Sequence, residues 1–302
     1  NSRLGFVSCY RATLFLKLQA MTRDRECLVE GKTVGLTVFC DKAPRTLART
    51  LASYERSGLL RFFDDVCVFF IGGHNGDSAV ASKYGLRSFM IDDGLGFGGA
   101  LKKAVDVMDA DYVLMVDHDR AVWGGSTVEK LREQLTEAMG VLVRDAADVV
   151  RLRHSWMGKS PVSAAAVYSY FYPVDQLSSR WKHAENLSDA PSWMKFFRRL
   201  MNPLRAKRWI GRSVYVEENP HLKFPSYIHK DGNLFIVDSA VFHWSNQPSL
   251  VSMGFLKKQI MGATEHSLFS QCVTGSDLER LVNSRKWRNA HHRIGVAPGI
   301  FL

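Results

Sequence analysis

Five consecutive apolar residues, Tyr112-Val113-Leu114-Met115-Val116, run without a break into Asp117-His118-Asp119. A strand that is apolar at every position has no face to give to water, so it belongs inside a parallel sheet covered on both sides. The C-terminal ends of such strands are where open α/β sheets bind ligands. The surrounding chain agrees with this reading. From Thr33 to about Arg153, apolar runs alternate with amphipathic segments, the pattern of an α/β sheet. Strands are expected at Thr33–Cys40, Val66–Ile71, Arg87–Ile91, Tyr112–Val116 and Val149–Leu152. Helices are expected at Pro44–Ser57, Ser78–Tyr84, Gly98–Met108 and Ser126–Met139. Leu47, Leu51 and Tyr54 form one stripe of the first helix, and Ser126 or Thr127 with Glu129 caps the last.

After Arg153 the character changes. Residues 156–230 are rich in aromatic, proline and basic residues without a clean period. Beyond them a strand (Leu234–Val237), a helix (Ser249–Met261) and a polar, His-rich tail are expected. The organisation that follows is an unplaced extension, 1–32, a nucleotide-type α/β half, 33–155, and a half that completes the site and chooses the partner, 156–302. A chain of 302 residues, 46% hydrophobic and 23% charged, can bury a sizeable core and is neither disordered nor collagen-like. Five cysteines without a C-x-x-C pair exclude a disulfide scaffold and a structural zinc site. Cys40 and Cys67 lie in apolar runs and read as small buried hydrophobes. No stretch reaches the roughly 18 apolar residues of a membrane span. The chain begins with Asn. If an N-terminal anchor has been trimmed, the Golgi or secretory lumen is favoured, with Asn186-Leu187-Ser188 as a glycosylation sequon; otherwise a membrane-associated cytoplasmic enzyme is expected.

Two carboxylates one residue apart at a strand end can share a hard divalent cation such as Mn²⁺ or Mg²⁺, leaving positions for substrate phosphates. That cation would neutralise a diphosphate leaving group. Asp is also a common turn residue, which is the plainer reading of the same motif.

Two further segments carry a family likeness. Lys32-Thr33-Val34-Gly35-Leu36-Thr37-Val38, followed by Thr50-Leu51-Ala52-Ser53-Tyr54, resembles the opening of glycosyltransferases with the GT-A fold, above all family 2 and its relatives. In those enzymes the D-x-D motif arrives about 80 residues after the first strand, and here Val38 to Asp117 spans 79 positions. The likeness covers about 33–155. It implies a Rossmann-like mixed sheet flanked by helices, an irregular acceptor half, and sugar transfer from a nucleotide-diphosphate donor to a hydroxyl of a glycan, glycoprotein or glycolipid. It also implies roles for particular residues. Asp119 would bind the metal directly, with Asp117 on the metal or the ribose. Asp41, and the loop from His74 to Asp77, would hold the nucleobase. Asp92 and Asp93 would contact uridine or ribose, although turn residues before a glycine loop are the simpler account. Lys102, on the helix before the D-x-D, would face the diphosphate. A late histidine would complete the metal site, with His243 and the pair His291-His292 as candidates.

Gly94-Leu95-Gly96-Phe97-Gly98-Gly99 satisfies G-x-G-x-x-G and makes an NAD(P)-dependent oxidoreductase the competing enzyme class. Against it, Asp92 and Asp93 stand where a pyrophosphate would meet like charge, and the glycines follow the third strand instead of the first. A phosphatase of the haloacid dehalogenase type wants Thr or Val where this chain has Ala121. Inverting transfer needs a carboxylate to take the acceptor proton. Glu265, in a segment resembling the family 2 base region, is the first candidate and Asp231 the second, each set against an ordinary surface carboxylate.

Lys and Arg exceed Asp and Glu by ten, and the surplus is local. Between Arg180 and Arg212 nine basic residues face two acidic ones, interleaved with Trp181, Trp193 and Trp209. A solvated basic face, a mobile flap over a diphosphate, or contact with an anionic membrane surface or RNA would each use such a stretch, with membrane or acceptor contact ahead of nucleic acid. The non-enzyme alternative is a basic membrane- or nucleic-acid-binding module with a degenerate pocket.

Overall fold

The computed structural model describes residues 26–74, 76–153, 160–174, 187–246, 248–262 and 274–301. The apolar runs of the first half form β1 (Val34–Asp41), β2 (Asp65–Ile71), β3 (Arg87–Ile91), β4 (Tyr112–Asp117) and β5 (Val149–Arg153). The second half adds β6 (Ile228–Asp231), β7 (Leu234–Asp238), β8 (Ser249–Ser252) and β9 (Arg293–Phe301). Among the described residues the α-helices of five residues or more are α1 (Pro44–Ser57), α2 (Ser78–Ser82), α3 (Gly96–Val107), α4 (Val128–Val143), α5 (Ser160–Ser169), α6 (Ser192–Met201), α7 (Pro203–Arg212), α8 (Gly275–Val282) and α9 (Arg285–Asn289).

The nine strands join one sheet in the order β3-β2-β1-β4-β8-β5-β9-β7-β6. The block β3-β2-β1-β4 is parallel, whereas β8 runs antiparallel to both β4 and β5. The expected α/β class, a mixed sheet flanked by helices, is what the chain forms. The sheet also draws strands from both sides of residue 155, since β8 and β9 flank β5.

Alternation along the central strands divides the core into two layers. Leu36, Val38 and Cys40 of β1, with Leu114 and Val116 of β4, pack against α1 and α4. Phe39, Val113 and Met115 point the other way, onto Leu101, Ala104 and Val105 of α3. α1 starts with Pro at its first turn and buries Leu47, Thr50, Leu51 and Tyr54 at helical spacing. Thr127 caps α4 by accepting from Lys130 N–H, the second of the two expected caps.

Two expectations fail in the second half. Ser249–Met261 is not one helix: Ser249, Leu250 and Val251 are buried as β8 in the gap between β4 and β5. The helical part begins only at Met253, after Ser252 accepts from Phe255 N–H. Pairing with two waiting strands outweighs helical periodicity. The polar tail likewise ends in β9, whose Ile294, Val296, Ile300 and Phe301 are buried. Gly295, Pro298 and Gly299 dilute its strand pattern in the sequence.

Candidate active site

From β1 the chain passes to β2 on one side and later returns to β4 on the other, so the β1–β4 boundary is the sheet's topological switch point. A cleft of about 200 Å³ opens at the C-terminal ends of these strands. Phe39, Asp41, Ile71, Phe97, the run from Asp117 to Arg120, Asn246, Thr274 and Gly275 line it.

Register sets the acids. Asp117, the last residue of β4, stands beside Phe39 of β1, two positions before Asp41. Side chains of α1 then hold the loop that follows. Thr50 Oγ1 donates to the His118 carbonyl at 2.6 Å and Tyr54 Oη to the Arg120 carbonyl at 2.7 Å. Val122 N–H donates to Ser53 Oγ at 3.1 Å. The Thr50-x-x-Ser53-Tyr54 pattern is thus a clamp: one helical face fixes the loop that carries both carboxylates.

The two acids differ. Asp117 is half-buried, and its carboxyl is pushed up to about 7, first by burial, with Asp119 and Glu279 adding like charge and Arg120 opposing them. Asp119 is more open and ion-pairs with Arg120 Nε at 3.3 Å. Asn246 Nδ2 lies 3.5 Å from Asp117 Oδ2. Glu279 of α8 holds Asn246 in place, accepting from its backbone N–H at 2.9 Å and from Ser245 Oγ at 2.7 Å. Thr274 and Asp277 close a reciprocal capping box at the start of α8. At Gly275 a Cβ would run into the end of the Asn246 side chain, so glycine leaves that amide its place beside Asp117. Sequence reasoning missed Asn246, Gly275, Glu279 and Arg120. The only local signal was the capping box Thr274-x-x-Asp277.

Of the other expected site residues, Asp41 lines the cleft. Asp77 stands before α2 without capping it, and accepts from His74 N–H at 2.9 Å to tie the loop after β2. Asp92 opens the turn after β3, and Asp93 ion-pairs with Lys42 at 2.8 Å, closing the ends of β1 and β3 over Gly72. Lys102 is paired with Asp106 on its own helix at 2.9 Å and does not line the cleft. His243 does not line it either. Burial and the nearby guanidinium groups of Arg208, Arg288, Arg212 and Arg151 hold its imidazole down at about 4. Cations around a histidine are the reverse of a metal site. His291 is engaged by Asp238 at 2.7 Å. Asp231 sits at the far edge of the sheet, five strands and roughly 24 Å from β4, ion-paired with Arg144 at 2.6 Å. It is therefore not brought to the D-x-D loop. Glu265 lies outside the described residues.

Among the described residues no group of three or more His, Cys, Asp or Glu side chains is placed to hold a metal. The glycine motif follows β3, the edge strand, and Gly99 has a packing reason: a Cβ there would come within 2.5 Å of Leu95 Cβ. Cys40 and Cys67 are buried thiols, pushed up chiefly by burial to about 11 and about 12, consistent with a packing role.

No protein-family model and no curated protein matches the chain. Several solved structures do. Glucosyl-3-phosphoglycerate synthase from Mycobacterium tuberculosis, in complex with Mn²⁺, uridine diphosphate and glucosyl-3-phosphoglycerate, is 13% identical over 90% of this chain and 72% of its own, with a TM-score of 0.42. TarS of S. aureus is 12% identical over 89% and 59%, with a TM-score of 0.45. The mannosyltransferase PcManGT from Pyrobaculum calidifontis, in complex with GDP-Man and Mn²⁺, is 14% identical over 54% of this chain, with a TM-score of 0.34. The chain spans about half the length of that mannosyltransferase and of mannosyl-3-phosphoglycerate synthase from Rubrobacter xylanophilus (49% and 47%).

Proposed function

We propose that the chain is a metal-dependent glycosyltransferase that moves a sugar from a nucleotide-diphosphate donor to a hydroxyl acceptor. The observation that carries this reading is the pair Asp117 and Asp119 at the switch-point cleft, held by α1 and facing open space. The donor set fits a hard divalent cation, Mn²⁺ or Mg²⁺: two carboxylates, oxygen donors only, with room for phosphate oxygens. Asp117 also carries a burial penalty that a cation would relieve. When bound, the ion would neutralise charge on the departing diphosphate.

The chain's own residues supply the rest. Phe39, Ile71 and Phe97 form an apolar wall against which a flat base can lie, with Asp41 at its edge to accept from base or ribose. Arg120 places a positive charge on the same loop as the two acids, suited to a diphosphate. Asn246, oriented by Glu279, reaches the cleft from the second half and fixes Asp117. Glu265 remains the base proposed for an inverting transfer. Asp231, ion-paired at the far edge of the sheet, is not proposed for that role.

The test is thermal stabilisation by UDP- and GDP-sugars with and without Mn²⁺, alongside NAD(P). Metal-dependent stabilisation by a nucleotide sugar that disappears in Asp119→Ala is expected. Stabilisation by a nicotinamide nucleotide alone, without metal, would overturn the reading.

A further inference from the structure

The helical pair α6 and α7 is built inside out. In a soluble protein an amphipathic helix turns its apolar stripe to the core. Here Trp193, Phe196, Phe197, Leu200 and Met201 follow the i, i+3, i+4, i+7, i+8 pattern, and all are exposed. Trp193 is 68% exposed and Leu200 66%, and Leu204 extends the stripe into α7 at 71%. The basic face turns inward instead. Lys195 is only 8% exposed, Arg199 donates to the Phe171 carbonyl at 2.6 Å, and Arg198 lies 5.2 Å over the Tyr170 ring. The inward charges therefore have seats in the body of the protein, and among the described residues the apolar face has none. Six large side chains exposed together amount to an apolar patch on the order of several hundred Å², the size at which an interface is expected.

Charge says what covers it. From Ser192 to Arg212 there are seven basic residues and no acidic one. Beside Leu204 a pocket of about 400 Å³ is lined by Lys207, Arg285, Arg288 and His291, of which His291 is already engaged by Asp238. A second copy of this chain would bring like charge against like charge. Residues 1–25 of the same chain carry five basic residues and one acidic, so they would be repelled as well. An occupant must be apolar at the stripe and anionic at its rim, and a bilayer containing anionic phospholipid is both.

We infer that α6 and α7 form a membrane-docking face, which lays its apolar stripe into the interface of an anionic bilayer and seats lipid phosphates at Lys207, Arg285 and Arg288. None of these residues lines the cleft, so the inference does not rest on sugar transfer.

The test is co-sedimentation of the full chain with vesicles of phosphatidylcholine alone and of phosphatidylcholine mixed with phosphatidylglycerol. Binding to the mixed vesicles is expected, weakening as salt rises. The double substitution Arg285→Ala with Arg288→Ala should weaken it by roughly thirtyfold, at about fivefold per basic residue near the surface. Phe196→Ser with Leu200→Ser should abolish it while leaving the melting temperature in place, because both side chains are exposed. Three results would overturn the inference. One is equal sedimentation with both vesicle types. Another is retained binding in Phe196→Ser with Leu200→Ser. The third is a concentration-dependent dimer that those substitutions break, which would assign the face to a second copy.

Discussion

Replacing Asp117 with Asn removes a carboxylate that the fold holds in its protonated form well above the usual carboxylate range. In the native protein Asp117 holds its proton to about pH 7, against 3.8 for an ordinary aspartate side chain. The unfolded chain releases it near that lower value. Between the two the native state binds more protons, so stability falls as pH rises, and the loss is complete above about pH 7. Roughly three pH units at about 1.36 kcal/mol each give a loss of at most about 4 kcal/mol. Burial causes the shift, so a neutral amide of nearly the same shape should avoid it. Urea unfolding of wild type and Asp117→Asn, repeated across this pH range, measures the difference directly. The two should coincide below about pH 4, and the variant should become progressively more stable until about pH 7. Added Mn²⁺ at alkaline pH should stabilise the wild type and leave the variant unchanged. Parallel pH profiles for the two proteins would refute the reasoning, because they would mean that the Asp117 charge costs nothing where it stands.

Tyr54→Phe deletes the donor to the Arg120 carbonyl and should cost about 1–3 kcal/mol in denaturant unfolding, while loosening the loop enough to weaken metal-dependent nucleotide binding. Gly275→Ala should push the end of Asn246 away from Asp117. Calorimetric titration should then show weakened binding of Mn²⁺ with nucleotide, although the fold survives, since the displaced atom ends a flexible side chain. Asp231→Asn should leave transfer activity at wild-type level, because its Arg144 pair lies at the opposite edge of the sheet. A large loss of kcat would contradict that placement.

What could be read in advance follows from how local each signal is. The strands β1 to β5 and the helix α1 announce themselves because their burial pattern is set by their own residues, and Asp117 was placed by the apolar run that leads to it. β8 was not legible. Its four residues become a strand only because β4 and β5 leave an antiparallel gap, and nothing in Ser249-Leu250-Val251-Ser252 states that gap. Asn246 escaped for the same reason: its contact with Asp117 spans 129 positions. Thr50, Ser53 and Tyr54 form a pattern in the sequence, but their work depends on their hydroxyls meeting the distant loop after β4. His243 and Lys102 show the opposite failure. Their residue types suited the chemistry, and their neighbours, four arginines in one case and Asp106 in the other, direct them elsewhere.

The interleaving of the sheet has a consequence for how the protein is made. β4 and β5 both emerge from the ribosome early, yet the strand that joins them begins at Ser249, and the other neighbour of β5 begins at Arg293. Until those segments arrive the growing chain therefore displays three unmated strand borders, one on β4 and two on β5, and β4 leads directly into the D-x-D loop. A fragment cut at residue 155 would keep all three borders open, inviting the edge-to-edge association that finished sheets avoid. Residues 33–155 are thus not a part that can be lifted out and reused. Strands that begin at Ser249 and Arg293 are what close the sheet on which the cleft is built.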